Sequence, residues 1–414
     1  MYVRRIGLVA VLLFVAALVP LAAPGPELIG AGLDPSPPGW VLGVYGEGFG
    51  IGGGAYYAAL WLAFLGYLGV VAAAPAFGRG AVRALVTAAV VAFALAPPLL
   101  SLDVFSYVSY GSLQLDGLNP YEVGPDAISG NPAADRVEDF ADAVSVYGPL
   151  FTLLSWPIAG LGLEAALWAM KALAALSVLA TCAVVGRFAS ARGVSPERAV
   201  AFVGLNPVVI VHGVGGAHND VLMALGMIAA LWLLASSRPV GAGVVLIGGV
   251  AVKAAGALAG PFALAAAARN RALGSFAAAL AVASGAVGAA ALALYGTSAV
   301  EAVDVLGGSQ DRISRWSAPA TLSRILGVDL DLVRAIAIVV FAVVFVGWMV
   351  RVVRGADPVR GAGWTAVALL LATAYMTPWY LVWALPLVAV SRDRALIGLT
   401  LAFTAFQLVN AVPL

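Results

Sequence analysis

Charge is scarce in this chain. Only 10% of its 414 residues are Asp, Glu, Lys or Arg, against 62% hydrophobic residues, and the mean hydropathy is +1.01. A water-soluble domain does not carry so much apolar content, which makes the protein a polytopic membrane protein. In lipid every backbone N–H and C=O must pair within the protein, so the spans are helices or a closed barrel. The apolar runs are long, rich in Ala, Leu and Val, and do not alternate, which excludes the barrel. Cysteine is nearly absent: Cys182 is single and lies inside an apolar run, so it forms no internal disulfide. Histidine is limited to His212 and His218. No Cys/His metal spacing, Walker loop or dinucleotide fingerprint in strand-to-helix context occurs, so neither a metal nor a cofactor is expected. A net charge of +1 gives no reason to expect a nucleic-acid partner.

What is present is a series of apolar runs, at about 6–23, 55–77, 82–100, 165–187, 199–212, 219–235, 240–253, 255–268, 274–295, 333–352, 361–376, 379–390 and 395–412. They predict a bundle of about thirteen transmembrane helices. The N-terminal run resembles a signal peptide but is long for one, and reads as an uncleaved first helix with Arg4 and Arg5 in the cytoplasm. That orientation sorts the basic residues, with Arg79, Arg83, Arg187, Arg192, Arg198, Arg238, Arg269, Arg271, Arg351, Arg354, Arg360, Arg392 and Arg394 all on the inner side. Of the acids only Glu197, Asp357 and Asp393 join them. Segment 149–162 is apolar but short and holds two prolines, so it is placed as an interfacial or re-entrant helix on the outer face with Trp156 at headgroup level. The chain reads as one domain, 1–414, with N-terminal spans to residue 100, an outer loop at 101–164, and the remaining spans from 165 with a further outer loop at 296–332. The outer segment at 24–54 suggests no chemistry.

Four clusters project outward on this topology. The first holds Asp103, Tyr107, Tyr110, Asn119 and Tyr121, closed by Tyr147-Gly-Pro149. A carboxylate at the edge of hydrocarbon is costly unless it is used, and aromatics beside an acid and an amide suit a sugar; an interfacial aromatic belt accounts for the tyrosines alone. The second is Gly213-Val-Gly-Gly-Ala-His-Asn-Asp220, in which His218, Asn219 and Asp220 orient a carboxylate, bind hydroxyls or ligate a metal, or in which Asn219 or Asp220 simply caps the next helix. His212 reads as a packed histidine. The third is Lys253, alone between apolar runs, placed at the outer tip of two short helices as a phosphate ligand or as a snorkelling lysine. Lys171 is a weaker candidate of the same kind. The fourth carries Arg312, Arg315 and Trp316, cations set against the positive-inside bias. Trp379 and Tyr380 stand near it in topology as sugar or belt residues.

Together these describe transfer of a sugar from a membrane-anchored phosphate carrier. The phosphate sits on Lys253 and the arginines, and Asp103 takes the proton from the acceptor hydroxyl. Leu102-Asp-Val-Phe-Ser-Tyr107, Gly117-Leu-Asn-Pro-Tyr121, Val146-Tyr-Gly-Pro149, Asn206-Pro207, Gly215-Gly-Ala-His-Asn-Asp220, Val252-Lys253 and Thr377-Pro-Trp-Tyr380, in this order from about residue 100 onward, resemble the actinobacterial polyprenol-phosphate-mannose-dependent α-(1→6)-mannosyltransferases. These are GT-C membrane glycosyltransferases. The resemblance implies a GT-C-like all-α fold and inverting transfer from β-linked polyprenyl phosphomannose to a mannan or glycolipid acceptor. It also implies metal independence and an outer-loop acid as general base, which maps onto Asp103. One departure is that the acid of many GT-C enzymes follows the first span, which leaves Glu27, Asp34 or Glu47 as alternatives. No sizeable periplasmic domain follows the last run, so loops alone hold the acceptor. Two other readings stand beside this one: a lipid-linked sugar transporter or flippase, with short Gly-broken spans around a midplane site, and a related transferase using polyprenyl-phosphate arabinofuranose.

Overall fold

In the computed structural model, residues 2–23, 51–137, 140–299 and 312–409 are described, and among them the secondary structure is helix without a strand. Each of the thirteen apolar runs falls on helical segments. Five helices are long and apolar enough to cross a membrane, or six if Pro196–Gly204 and Val209–Gly215, which bend by 59°, form one span. The other runs fold as helices of 10–17 residues, short of a full crossing. The chain packs as two compact units, one of residues up to 145 with 150–222, the other of 146–149 with residues from 223 onward.

The first unit begins with α1 (Tyr2–Ala22) and α2 (Gly53–Phe77), which run antiparallel. A Cβ at Gly66 would stand 2.8 Å from the Phe14 backbone nitrogen, and one at Gly69 2.6 Å from the Ala10 methyl. Small residues permit this approach, which dispersion rewards in lipid. Tyr56 Oη donates to the Leu21 carbonyl at the end of α1. After Gly78, whose φ of +80° suits glycine alone, come α3 (Arg79–Leu95), α6 (Leu163–Ala191) and α7 (Pro196–Gly204). Ser195 caps α7 by accepting from the Arg198 N–H, with Pro196 in its first turn. Gly204 leaves no room for a Cβ beside Cys182 Sγ and Val86, which gives the lone cysteine a packing role. Antiparallel pairing brings Arg4, Arg79, Arg187 and Arg198 to one end of these helices.

The segment expected as a polar outer loop is largely helical. It contains α4 (Asp103–Leu115), two 3₁₀ turns at Pro125–Ile128 and Ala134–Arg136, and α5 (Pro149–Ala159), whose 11 residues are too few to cross. Residues Val104 to Gln114 of α4 are all buried. The polar ones are satisfied locally: Ser109 and Ser112 donate to the carbonyls of Phe105 and Val108, and Gln114 donates to those of Tyr110 and Thr152. A Cβ at Gly111 would lie 2.3 Å from the Ser155 carbonyl oxygen, so glycine is required where α4 meets α5.

The second unit holds most of α8 (Asp220–Ala235), then α9 (Pro239–Val252), a 3₁₀ turn at Ala254–Ala259, α10 (Gly260–Arg269), α11 (Leu273–Tyr295), α12 (Ala318–Leu326), α13 (Leu330–Val353), α14 (Pro358–Ala372), a 3₁₀ turn at Pro378–Trp383, α15 (Leu385–Ala389) and α16 (Arg394–Leu408). Its arginines also gather at one end. Arg269 donates to the carbonyls of Val352 and Ala356. Arg351 and Arg360 lie over the Trp348 ring, which stacks on Trp364. At this end Asp393 caps α16 through the N–H groups of Ala395 and Leu396 and accepts from Arg360 at 2.6 Å and Trp364 Nε1 at 2.8 Å. Burial opposes its ionisation, but the bonds from Trp364, the Leu396 backbone and Arg360 outweigh it and hold the carboxyl below its usual range. A lowered folded-state value stabilises above the unfolded value and is lost as pH falls through the folded one. Asp393→Asn should therefore lower stability at neutral pH by about 2 kcal/mol and abolish the part of the acid-side loss due to this group. Thermal unfolding in detergent from neutral to acid pH checks both.

Candidate active site

The first unit places its polar cluster at the end of the helices opposite the arginines. Beyond α3 the chain passes Pro97 and Pro98, and Leu100 takes a φ of +58° before Ser101 and the start of α4 at Asp103. From the other side comes a π-helical turn, Val209–Gly215, followed by Ala217 with a φ of +56°. Non-glycine residues in the left-handed region cost about 1–2 kcal/mol each and persist where surrounding contacts impose them. Here the two flank the same site.

Lys171 supplies those contacts. It sits mid-helix in α6, 1% exposed, and its ammonium donates to the carbonyls of Gly215 at 2.8 Å, Pro97 at 3.4 Å and Val214 at 3.5 Å. The Leu99 N–H adds a bond to the Gly215 carbonyl. The expectation that Lys171 is a phosphate ligand is therefore corrected. The group faces backbone oxygens freed where proline and the π-turn interrupt helix, and it ties the Asp103 approach to the His218 approach.

His218 is fully buried. Its Nδ1 lies 2.6 Å from the His212 carbonyl oxygen, an acceptor only, so Nδ1 carries the proton and donates. In the neutral ring Nε2 is then an acceptor, 3.1 Å from Ser101 Oγ and 3.6 Å from Asp103 Oδ2. The Asp103 N–H donates to Ser101 Oγ, leaving the serine hydroxyl to donate to Nε2. Asp103 itself is part-exposed, its side chain 29% accessible, at the first turn of α4, where the helix dipole favours a carboxylate. The glycine-rich turn makes space for this histidine: a Cβ at Gly216 would lie 2.6 Å from His218 Cε1. Asn219 is buried, and neither Oδ1 nor Nδ2 has a partner among the described residues. Its N–H donates to Tyr107 Oη at 3.4 Å. Asp220 is buried and begins α8.

The aromatic members of the first cluster shape the loop. Tyr107 is buried, its ring edge-on to Phe151. Tyr110 donates to the Ala143 carbonyl, and burial, then the Asp103 and Asp142 charges, keep its phenol protonated. Tyr121 bonds Thr152 Oγ1 at 3.0 Å, and burial pushes its phenol up to about 12 against the lowering effect of that bond. Asn119 forms an Asx turn, accepting from the Tyr121 N–H and donating to Glu122. Ser101 was not singled out by sequence reasoning; a serine two residues before the acid carries no pattern of its own.

The remaining site residues belong to the second unit. The helix breaks at Lys253, whose ammonium stands 4.8 Å from the Tyr380 ring centroid and 5.8 Å from that of Trp383, a cation–π contact sequence reasoning named only in part. Tyr147 precedes Gly148, whose N–H donates to the Val252 carbonyl and where a Cβ would lie 2.2 Å from the Ala251 oxygen, so this segment docks beside Lys253. Trp379 meets Tyr380 edge-on. Arg315 and Arg324 lie over the Trp316 ring, Arg324 being an unforeseen member, and Arg312 is exposed. Glu27, Asp34 and Glu47 lie outside the described residues.

These features define an all-helical integral membrane protein with an acid–histidine cluster at one end of its first unit and caged cations in its second. Residues 4–269 match the family model described as Alpha-(1->6)-mannopyranosyltransferase, N-terminal domain, and residues 321–413 match MptB C-terminal domain. The chain belongs to the α-(1→6)-mannopyranosyltransferase family. The match begins at residue 4, so the first hundred residues, outside the motif resemblance, lie within it. Alpha-(1->6)-mannopyranosyltransferase A of Corynebacterium glutamicum is 33% identical over 193 residues, 46% of this chain and 39% of that protein. Its namesake from Mycobacterium tuberculosis is 35% identical over 175 residues, 41% of this chain and 33% of that one. A protein of Mycolicibacterium smegmatis named Probable alpha-(1->6)-mannopyranosyltransferase is 26% identical over 371 residues, 75% of this chain and 65% of that one. The chain thus spans less than half the length of the first two relatives. No solved structure matches.

Lys171→Met removes the donor to three buried carbonyls while keeping the side-chain length. The Gly215 and Val214 carbonyls keep bonds from the Leu99 and Ala217 N–H groups, and the Pro97 carbonyl loses its lysine donor. An unpaired buried group costs about 1–3 kcal/mol, so this variant should melt below the wild type in detergent, whereas Ser177→Ala, on the same helix, should not. An unchanged melting temperature in Lys171→Met would remove the keystone role.

Proposed function

We propose that the protein is an inverting mannosyltransferase. It moves mannose from polyprenyl phosphomannose to an α-mannan or glycolipid acceptor and forms α-(1→6) links at the extracytoplasmic face of the plasma membrane. The observation that carries this reading is Asp103 held at a helix start by the Ser101 oxygen, whose hydroxyl donates to His218, with the buried amide of the next residue, Asn219, leaving its hydrogen-bonding capacity unspent. A buried amide without a partner suits a ligand with paired donors and acceptors, which sugar hydroxyls provide. Family membership supports mannose as the sugar.

In this reaction the acceptor hydroxyl gives its proton to the Asp103 carboxylate, and its oxygen forms a bond to the anomeric carbon of mannose. The bond from that carbon to the phosphate oxygen breaks, and the electron pair leaves with polyprenyl phosphate. His218, fixed by its own bond to the His212 carbonyl, accepts from the Ser101 hydroxyl, whose oxygen in turn takes the Asp103 N–H and so sets the start of α4. Asn219 and Asp220 bind acceptor or sugar hydroxyls, with Tyr107, Tyr110, Asn119 and Tyr121 shaping the loop around them. Anion binding falls to the second unit, where Lys253 with Tyr147, Trp379 and Tyr380, and the Arg312 and Arg315 guanidiniums, take the donor phosphate. The isoprenoid chain is supported by an apolar groove of about 370 Å³ in that unit, lined by Pro319, Leu322, Ile336, Val340 and Leu371 among others. The outer-face assignment rests on the arginines, which collect at the other helix ends. The thirteen apolar stretches make up a GT-C-like bundle with its short helices as partial crossings.

A second reading, transport of a lipid-linked sugar, draws on the 59° break between α7 and the π-turn. Purified protein supplied with labelled polyprenyl phosphomannose and short mannosides, with product analysis by mass spectrometry, separates the two. An extended mannoside supports transfer; a product only from the arabinofuranose donor changes the sugar; none from any polyprenyl-phosphate sugar turns the reading to transport.

In the same assay Asp103→Asn should lower turnover by about 10³-fold, the scale of a general base, while the protein still folds and inserts. Near-wild-type turnover sinks the assignment. Lys253→Ala should raise the donor KM by roughly 10-fold, the worth of one charged hydrogen bond, with the acceptor KM unmoved; an unaltered donor KM counts against a phosphate role for this lysine.

A further inference from the structure

The end of the first unit opposite Asp103 carries a feature that sugar transfer does not use. A cleft of about 300 Å³ lies among the first turns of α3 and α7 and the last turns of α6. Its polar lining is Arg79, Arg83, Arg187, Ser190 and Glu197, over a floor that includes the buried Val82 and Val200. Glu197 accepts from Arg79 Nε at 3.2 Å through one oxygen and from Ser195 Oγ at 2.9 Å through the other. That pair leaves Arg83 and Arg187 with no carboxylate partner among the described residues. Two exposed guanidiniums therefore converge on one cavity, beside Ser190, whose hydroxyl donates to the Gly186 carbonyl. The N-terminal turn of α3 has no side-chain cap, so its N–H groups add to the positive potential there.

We propose that this cleft binds the phosphate of an anionic phospholipid headgroup. Topology needs basic residues on this face but needs no cavity among them. A cleft with two guanidiniums that have no carboxylate partner and an apolar floor is built for an anion with a hydrophobic continuation. Planar guanidiniums bind phosphate oxygens in pairs, and basic pockets between membrane helices take such headgroups. The cleft also stands at the ends of α2 and α6, both long enough to cross a membrane, which sets it at headgroup level. A soluble phosphate ester shares the chemistry of the head but has nothing to lay on Val82 and Val200.

The test uses the purified full chain in nanodiscs of phosphatidylcholine alone, of phosphatidylcholine with phosphatidylglycerol or cardiolipin, and of phosphatidylcholine with millimolar inorganic phosphate in the buffer. Lipid carried into native mass spectrometry and the melting temperature are read in each. The wild type should retain the anionic lipid preferentially and melt higher in its presence. The double variant Arg83→Gln/Arg187→Gln should hold it about 30-fold more weakly, while melting as the wild type does in phosphatidylcholine alone. Arg351→Gln/Arg354→Gln, which removes equal charge from the second unit, should keep the retention. Equal retention of the neutral and anionic lipids, or undiminished retention in the first double variant, overturns the proposal. So does a melting shift from inorganic phosphate as large as that from the lipid, which would make the cleft a soluble-anion site.

Discussion

A backbone carbonyl in a helical membrane protein has no water to turn to, and where a helix is interrupted its carbonyls need a donor from elsewhere in the protein. The three carbonyls that meet Lys171 answer to this constraint. Proline at 97 and 98 ends one helix approach and the π-turn at 209–215 ends another. A single buried ammonium satisfies both breaks and so joins them. Two residues in left-handed geometry, Leu100 and Ala217, are held on either side of this junction. The register of Ser101, Asp103 and His218 follows from it.

The same rule accounts for the other breaks that matter. At Lys253 the helix stops with its ammonium over two aromatic rings, and Gly148 carries a neighbouring segment into backbone contact there. Polar residues within α4 return their hydrogen bonds to the preceding turn, which lets a helix with polar sequence lie buried on every side. Glycines at 66, 111, 148 and 204 each sit where another chain segment leaves no space for a Cβ. The interior of this protein is thus organised by close approach and by backbone satisfaction, with the buried Lys171 serving the second. In the first unit one end carries arginines around a cleft and the other the Asp103 carboxylate.

The helices were legible because hydrocarbon demands apolar runs, and those runs mark α1, α2, α6, α11 and α13 directly. The sorting of arginines was legible for a related reason: Arg269, Arg360 and Arg351 do meet at one end of the second unit. α4 was not legible, since its sequence has the look of a solvated loop and only packing against the two 3₁₀ turns, α5 and α6 makes it a buried helix. Lys171 was seen but misread. A lone lysine in an apolar helix signals a partner, and sequence cannot say whether that partner is a ligand or three carbonyls tens of residues away. Ser101 gave no signal because its role depends on a histidine 117 positions further on.

The sequence by itself determined that this is a helical membrane protein, which ends of its helices carry charge, and which acid stands at a helix end without a basic neighbour in the chain. Those properties depend on local composition, and the bilayer reads composition directly. Only the tertiary structure decided what the polar residues hold: Lys171 the backbone, Tyr110 and Tyr121 the loop, His218 the Ser101 hydroxyl, and Arg83 and Arg187 an open cleft. Hydrogen bonds act over about 3 Å, and which groups come within that distance is settled by how helices far apart in sequence pack.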